Sequence, residues 1–274
     1  MAKIPWKLWF KYYCEAQTIY SAHSPFVYEF MSSVMQGKIN TRAINEIEKK
    51  RNQLLVSKNS ISFIDYGAGS SIGENTAQRK IAHIAKNSLS GKWQCQFLNR
   101  LVRHYGLANI LEIGTSLGIS TAYLAAANPS GNLITLEGNP ESAHIAKALF
   151  KDLNYDSIDC RIGEFGTTLI PAIDSFDSID MAFIDGNHRK EATIEYFHLL
   201  KEKMVQKSIV VVDDIYWSEG MNEAWQEIIN DDSVAFSVDL FRMGLLFFDF
   251  TIMDKRHFKL IPYKYKPWCI GVFG

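Results

Sequence analysis

From Asn109 onward, short apolar runs alternate with segments whose apolar positions recur at helical spacing. The runs 109–113 (NILEI), 132–137 (NLITLE), 157–162 (SIDCRI), 178–184 (SIDMAFI) and 208–212 (SIVVV) predict strands. The intervening stretches 117–127, 140–152, 165–173 and 189–203 predict helices. Such alternation gives a doubly wound, mostly parallel sheet, class α/β. After a further helix over 218–230, two runs stand close together: 234–241 (VAFSVDLF) and 244–250 (GLLFFDF). They predict a hairpin that closes the sheet.

The first part of the chain has a different pattern. Residues 3–60 are helical in character and rich in aromatics, among them Trp6, Trp9, Phe10 and Tyr13. Lys3, Lys7 and Lys11 recur every four residues and share one helix face, with the aromatics on another. A helix docked on the main domain or on a second subunit is favoured over one lying on a membrane surface. His23-Ser24-Pro25 is a break that starts a new helix. Helices are expected over 41–58, 76–89 and 92–105. The chain divides into a helical N-terminal extension, 1–91, and an α/β domain, 92–274.

Two stretches carry glycines where a strand turns into a helix: Asp65–Gly73 (DYGAGSSIG) and Glu112–Gly118 (EIGTSLG). Ligands in open α/β sheets sit beyond the carboxyl ends of strands, where glycine lets backbone approach them. After the second stretch, a further strand ends in Glu137, placed to accept hydrogen bonds from two ribose hydroxyls. The first stretch has no such sequel and is expected to be a turn or a substrate-side loop. The spacing is E-x-G-x-x-x-G, which suits a ligand without a pyrophosphate better than it suits NAD.

Two more strands end in acids, "MAFIDGNH" with Asp185 and His188, and "IVVVDDIYW" with Asp213 and Asp214. Three carboxylates converging at one sheet edge repel one another unless a cation or protons neutralise them. An all-oxygen set suits a hard divalent ion such as magnesium. The competing reading makes Asp185-Gly186 a turn and Asp213 or Asp214 a helix cap.

Composition narrows the partners. The 274 residues are 47% hydrophobic and 22% charged, with net charge −1. That balance gives no electrostatic case for nucleic acid or an anionic membrane, and leaves a small molecule as the expected partner. Four scattered cysteines suggest free thiols, and no run is long enough for a membrane span. A cytoplasmic protein is expected.

With these residues in place, 109–250 resembles the class I S-adenosylmethionine-dependent methyltransferases. "LEIGTSLGIST" is similar to their small-molecule O-methyltransferase branch, related to catechol O-methyltransferase. The resemblance implies a seven-stranded sheet with an antiparallel last strand, consistent with the hairpin. It implies that Glu112, Gly114, Thr115 and Gly118 embrace the methionine part of S-adenosyl-L-methionine and that Glu137 takes the ribose. Gly163, Glu164 and Phe165 would lie near the adenine, with Glu164 standing where a small or amide residue is expected. Metal-dependent relatives carry acids at the strand ends, commonly Asp-Asn at the second; here the pair is Asp213-Asp214. Asp185 counts with both the cofactor and the catalytic groups, and Asp185, Asp213 and Asp214 are the metal candidates for Mg2+. A sugar-modifying branch shows Asp-x-x-His like Asp185–His188, with the histidine as base. The implied activity is methyl transfer to a hydroxyl oxygen of a small molecule. A nicotinamide-dependent oxidoreductase and a non-catalytic S-adenosylmethionine-binding module are the alternatives, and a homodimer through the N-terminal helices stays open.

Overall fold

The computed structural model describes residues 6–37, 39, 41–63, 77–248 and 256–267. Its N-terminal part holds α1 (Trp6–Glu15), α2 (Pro25–Glu29), a π-helical continuation (Phe30–Met35) and α3 (Arg42–Leu55). A two-stranded ribbon follows, β1 (Ser60–Phe63) against β2 (Ala77–Lys80), then α4 (Ile81–Ser88) and α5 (Lys92–Tyr105). The alternating part runs β3 (Asn109–Ile113), α6 (Ile119–Ala127), β4 (Asn132–Glu137), α7 (Pro140–Asp152), β5 (Asp159–Ile162) and α8 (Phe165–Asp174). It continues through β6 (Ile179–Ile184), α9 (Lys190–Lys201), β7 (Met204–Asp213), α10 (Glu219–Ile228), β8 (Val234–Asp239), β9 (Met243–Phe248) and β10 (Arg256–Lys259).

The main sheet has the order β10-β8-β9-β7-β6-β3-β4-β5. Every pairing is parallel except those of β9, which runs antiparallel to β7 and β8. The hairpin expected over 234–250 is therefore β8–β9. The seven expected strands are joined by an eighth, β10, pairing parallel with β8 in the register Arg256↔Phe236. Its sequence, Arg-His-Phe-Lys, has no apolar run to announce a strand.

Both faces of the sheet are covered, which is why its central strands are continuously apolar. On one face Ile110, Met181, Phe183, Val211 and Phe247 pack with Phe30, Leu98 and Leu101. On the other, Leu111, Ala182, Val210 and Leu246 meet Leu169, Phe197 and Trp225 of α8, α9 and α10. The π-helical turn thus buries Phe30, Met31 and Val34 in the same core as the sheet.

The helix expected over 76–89 starts only at Ile81, because residues 77–80 pair with 60–63. The Asp65–Gly69 stretch, joining those two strands in sequence, lies outside the described residues. Among the described residues no helix is long and apolar enough to cross a membrane.

Candidate active site

The parallel topology brings the carboxyl ends of β3, β4, β6 and β7 to one edge, and with them the residues singled out in the sequence. After β3 the chain turns at Gly114 with φ +110°. A Cβ at Gly114 would stand 2.5 Å from the Asp185 carbonyl oxygen, so this turn and the loop after β6 touch through bare backbone. Gly118, φ +84°, starts α6 directly against Phe150 and Ala146 of α7. The N–H groups of Gly114 and Thr115 both donate to the Leu136 carbonyl at 3.0 Å, locking the turn to β4.

Glu112 is fully buried. One of its oxygens accepts from the hydroxyls of Thr121 and Thr135, the latter at 2.7 Å, while the other has no partner. Burial raises its pKa. Thr115 is also buried and shares a 2.6 Å hydrogen bond with Thr135. Glu112 and Thr115 therefore brace the turn from below.

Glu137 closes β4. Its Oε2 accepts from the Ser116 N–H at 2.6 Å and its Oε1 from the Asn139 N–H at 2.8 Å. Burial pushes its pKa to about 7 despite these bonds. Gly163, φ +147°, donates its N–H to the Glu137 carbonyl at 3.0 Å, which sets the β5–α8 loop beside this acid. Glu164 starts α8 with its side chain exposed, and its carbonyl accepts from Thr167 and Thr168. Phe165 packs on Gly186 and meets the Tyr196 ring edge-on at 6.2 Å.

The acids after β6 and β7 also meet. The Asp213 carboxyl lies within hydrogen-bonding reach of Asp185 and, with burial and the nearby Asp214, holds the Asp185 pKa well above the carboxylate range. Asp213 is buried, and its Oδ1 has no hydrogen-bond partner. Asp214, at φ +52°, is pushed up to about 6 by burial and Asp213, against the pull of His188 and Arg242. Arg242, in the β8–β9 turn, reaches it at 3.8 Å. His188 places Nε2 3.9 Å from Asp185 Oδ1, with the Trp217 ring 6.3 Å away. Trp217 is 44% exposed and precedes α10, whereas Met221 and Trp225 of the same sequence stripe are core. Among the described residues, no three His, Cys, Asp or Glu side chains already stand as a metal site.

Three contributors carried no sequence signal. The Ser90 hydroxyl, in the α4–α5 loop, donates to Asp185 Oδ2 at 3.1 Å. The Ser90 carbonyl accepts from Arg51 of α3, tying the acid to the N-terminal helices. Ser116 and Asn139 act through backbone N–H groups, which every residue type except proline carries. A cavity of about 350 Å3 lies away from this edge, lined by residues that include Trp225, Ser237 and His257.

Comparison with known proteins agrees with this geometry. Residues 111–215 match a family model described as a methyltransferase domain. The chain is 27% identical over 172 residues to a catechol O-methyltransferase of Mycobacterium tuberculosis, covering 60% of this chain and 71% of that one. It is 32% identical over 126 residues to a catechol O-methyltransferase of Niastella koreensis, covering 44% and 56%. The second alignment thus spans just over half of its relative. In fold it resembles an O-methyltransferase from Bacillus cereus solved in complex with SAH, with TM-score 0.55, 19% identity, and coverage of 81% and 96%. These findings give the chain a methyltransferase domain at 111–215, on a fold shared with the O-methyltransferase solved with SAH. The named relatives are O-methyltransferases.

Proposed function

We propose that the chain methylates a hydroxyl group of a small molecule at the edge formed by Gly114, Glu137, Asp185 and Asp213. The observation that carries this reading is Glu137. Two backbone N–H groups fix its carboxylate beside the glycine turn, and each oxygen keeps a lone pair for a ribose hydroxyl. The cofactor would lie over Gly114 and Gly118, with Glu112 and Thr115 supporting the turn and Gly163, Glu164 and Phe165 toward its adenine.

S-adenosylmethionine supplies an activated methyl group, so the protein has to align the acceptor and take its proton. The hydroxyl oxygen attacks the methyl carbon while the carbon–sulfur bond breaks, and S-adenosylhomocysteine leaves. His188, beside Asp185, would accept the hydroxyl proton. Trp217 stands next to His188 and would form one wall of the acceptor pocket.

Asp185 and Asp213 suit a hard cation: they are oxygen donors, they crowd one another, and Asp213 Oδ1 is buried without a partner. With Asp214 they would hold a divalent ion such as magnesium. When bound, such an ion lowers the pKa of an acceptor hydroxyl.

Release of S-adenosylhomocysteine across a library of phenols and sugars tests the reading. Turnover is expected with at least one hydroxyl acceptor, to be lost in chelator and restored by magnesium. Full activity in excess chelator removes the metal and leaves His188 and Asp185 as a metal-free pair. Absence of turnover with every acceptor, together with intact cofactor binding, would favour a binding module.

A further inference from the structure

The sequence leaves open what the aromatic N-terminal helix faces. In the structure α1 docks through Tyr12, which is 3% exposed and bonds the Leu260 carbonyl. The rest of its aromatic surface stays uncovered: Trp6 is 71%, Phe10 58% and Trp9 41% exposed. Lys7 and Lys11 stand exposed beside them, and Lys7 Nζ lies 5.8 Å from the centre of the Trp6 ring.

This surface continues onto the C-terminal segment. Trp9 stacks on Tyr13 at 4.9 Å, and the Tyr13 hydroxyl donates to the Tyr265 carbonyl at 3.0 Å. The exposed Tyr265 ring carries Lys264 Nζ at 4.8 Å, and the neighbouring Tyr263 meets exposed Tyr20 edge-on at 5.7 Å. The two segments are bolted together. Lys266 Nζ donates to the carbonyls of Tyr13, Cys14 and Ala16 at the end of α1, and Gln17 pairs with Leu260.

Charge separates this patch from the remainder of the molecule. Residues 6–21 and 256–267 contain six cations (Lys7, Lys11, Arg256, Lys259, Lys264, Lys266) and one carboxylate, Glu15, in a chain whose net charge is −1. Lys266 is buried and Lys259 is paired with Glu15, so Lys7, Lys11 and Lys264 are the cations that flank the exposed rings. Tryptophan and tyrosine with lysines at their margin suit the headgroup region of a bilayer. There the rings sit at the apolar boundary and the ammonium groups reach phosphate. The cores of protein interfaces are depleted in lysine, which counts against a protein partner. We propose that α1 and residues 263–265 dock the enzyme on an anionic phospholipid surface. Because α1 is already helical and tied to residues 260–266, docking needs no folding of the helix.

The test uses the full chain with vesicles of phosphatidylcholine alone and of an equal mixture with phosphatidylserine. Co-sedimentation and a blue shift of tryptophan emission are expected with the mixed vesicles. Binding should weaken at least about tenfold on pure phosphatidylcholine or in high salt. The triple variant Trp6→Ser, Trp9→Ser, Phe10→Ser should lose it, and the double variant Lys7→Glu, Lys11→Glu should lose it while leaving the aromatics in place. Circular dichroism checks that both variants fold, and neither touches the catalytic edge, so cofactor binding should stay unchanged. Absence of binding to mixed vesicles, or binding that both variants retain, overturns the proposal. So does a dimer that the triple variant dissolves without any vesicle binding, since a second copy would then cover the patch.

Discussion

The backbone N–H of Ser116 donates to Glu137 Oε2 at 2.6 Å, joining the glycine turn after β3 to the last residue of β4. Two parallel strands that are neighbours in the sheet thereby fix one carboxylate at the mouth of the site. The bond depends on Ser116 holding φ +50° between the two glycines. It costs backbone strain, of order 1 kcal/mol for a non-glycine residue.

Glu137 sets the first prediction. Its pKa is pushed to about 7, and on the proposed reading ribose hydroxyls would donate to the ionised form. Cofactor binding should therefore be full above about pH 7 and weaken as pH falls through it, by roughly tenfold per pH unit well below that value. S-adenosylhomocysteine affinity measured from about pH 5 to about pH 8 checks this, and Glu137→Gln should flatten the profile while weakening binding overall.

Stability should move the opposite way. Burial raises the pKa of Glu112, Glu137, Asp185, Asp214 and Asp239, Glu137 to about 7 and Asp214 and Asp239 to about 6. A carboxyl raised in the folded state binds its proton more tightly there than in the unfolded chain. Its contribution is complete below the unfolded pKa and is lost as pH rises through the folded one. The melting temperature of the cofactor-free protein should fall between about pH 5 and about pH 8. A rise over that interval would contradict the burial assigned to these acids.

Gly114→Ala should be strongly destabilising, by roughly 2 kcal/mol or more, because φ +110° and the Asp185 carbonyl at 2.5 Å leave no place for a methyl group. Urea unfolding measures the loss. Gly166→Ala, where a Cβ meets nothing within 4 Å, is the matched control and should cost little.

His188→Ala should lower the catalytic rate by about 10²–10⁴ with cofactor affinity nearly unchanged. Trp217→Ala should raise the acceptor KM more than it lowers the rate, since on the proposed reading it would wall the acceptor without touching a reacting atom. Steady-state kinetics with the acceptor found by screening separates the two.

Much of the fold was legible because buried parallel strands must be apolar. Strands 109–113 and 132–137, and helices 92–105 and 140–152, fall where the pattern puts them. β10 and β2 were not legible. Their short mixed sequences are held by pairing with partners distant in the chain, and local pattern carries no such information. The acids at strand ends were visible for the same reason as the strands. Ser90 was not, because a lone serine in a loop gains its meaning only when α3 and α5 bring it to Asp185. Net charge also concealed the basic aromatic surface, since an average near zero says nothing of how charge is distributed.

Calorimetry with S-adenosylhomocysteine and with NAD, at a pH above 7, tests the central claim most directly. The account predicts saturable one-site heat with S-adenosylhomocysteine, sharply weakened in Glu137→Ala, and none with NAD. Preferential binding of NAD, or S-adenosylhomocysteine binding that survives Glu137→Ala undiminished, would contradict it.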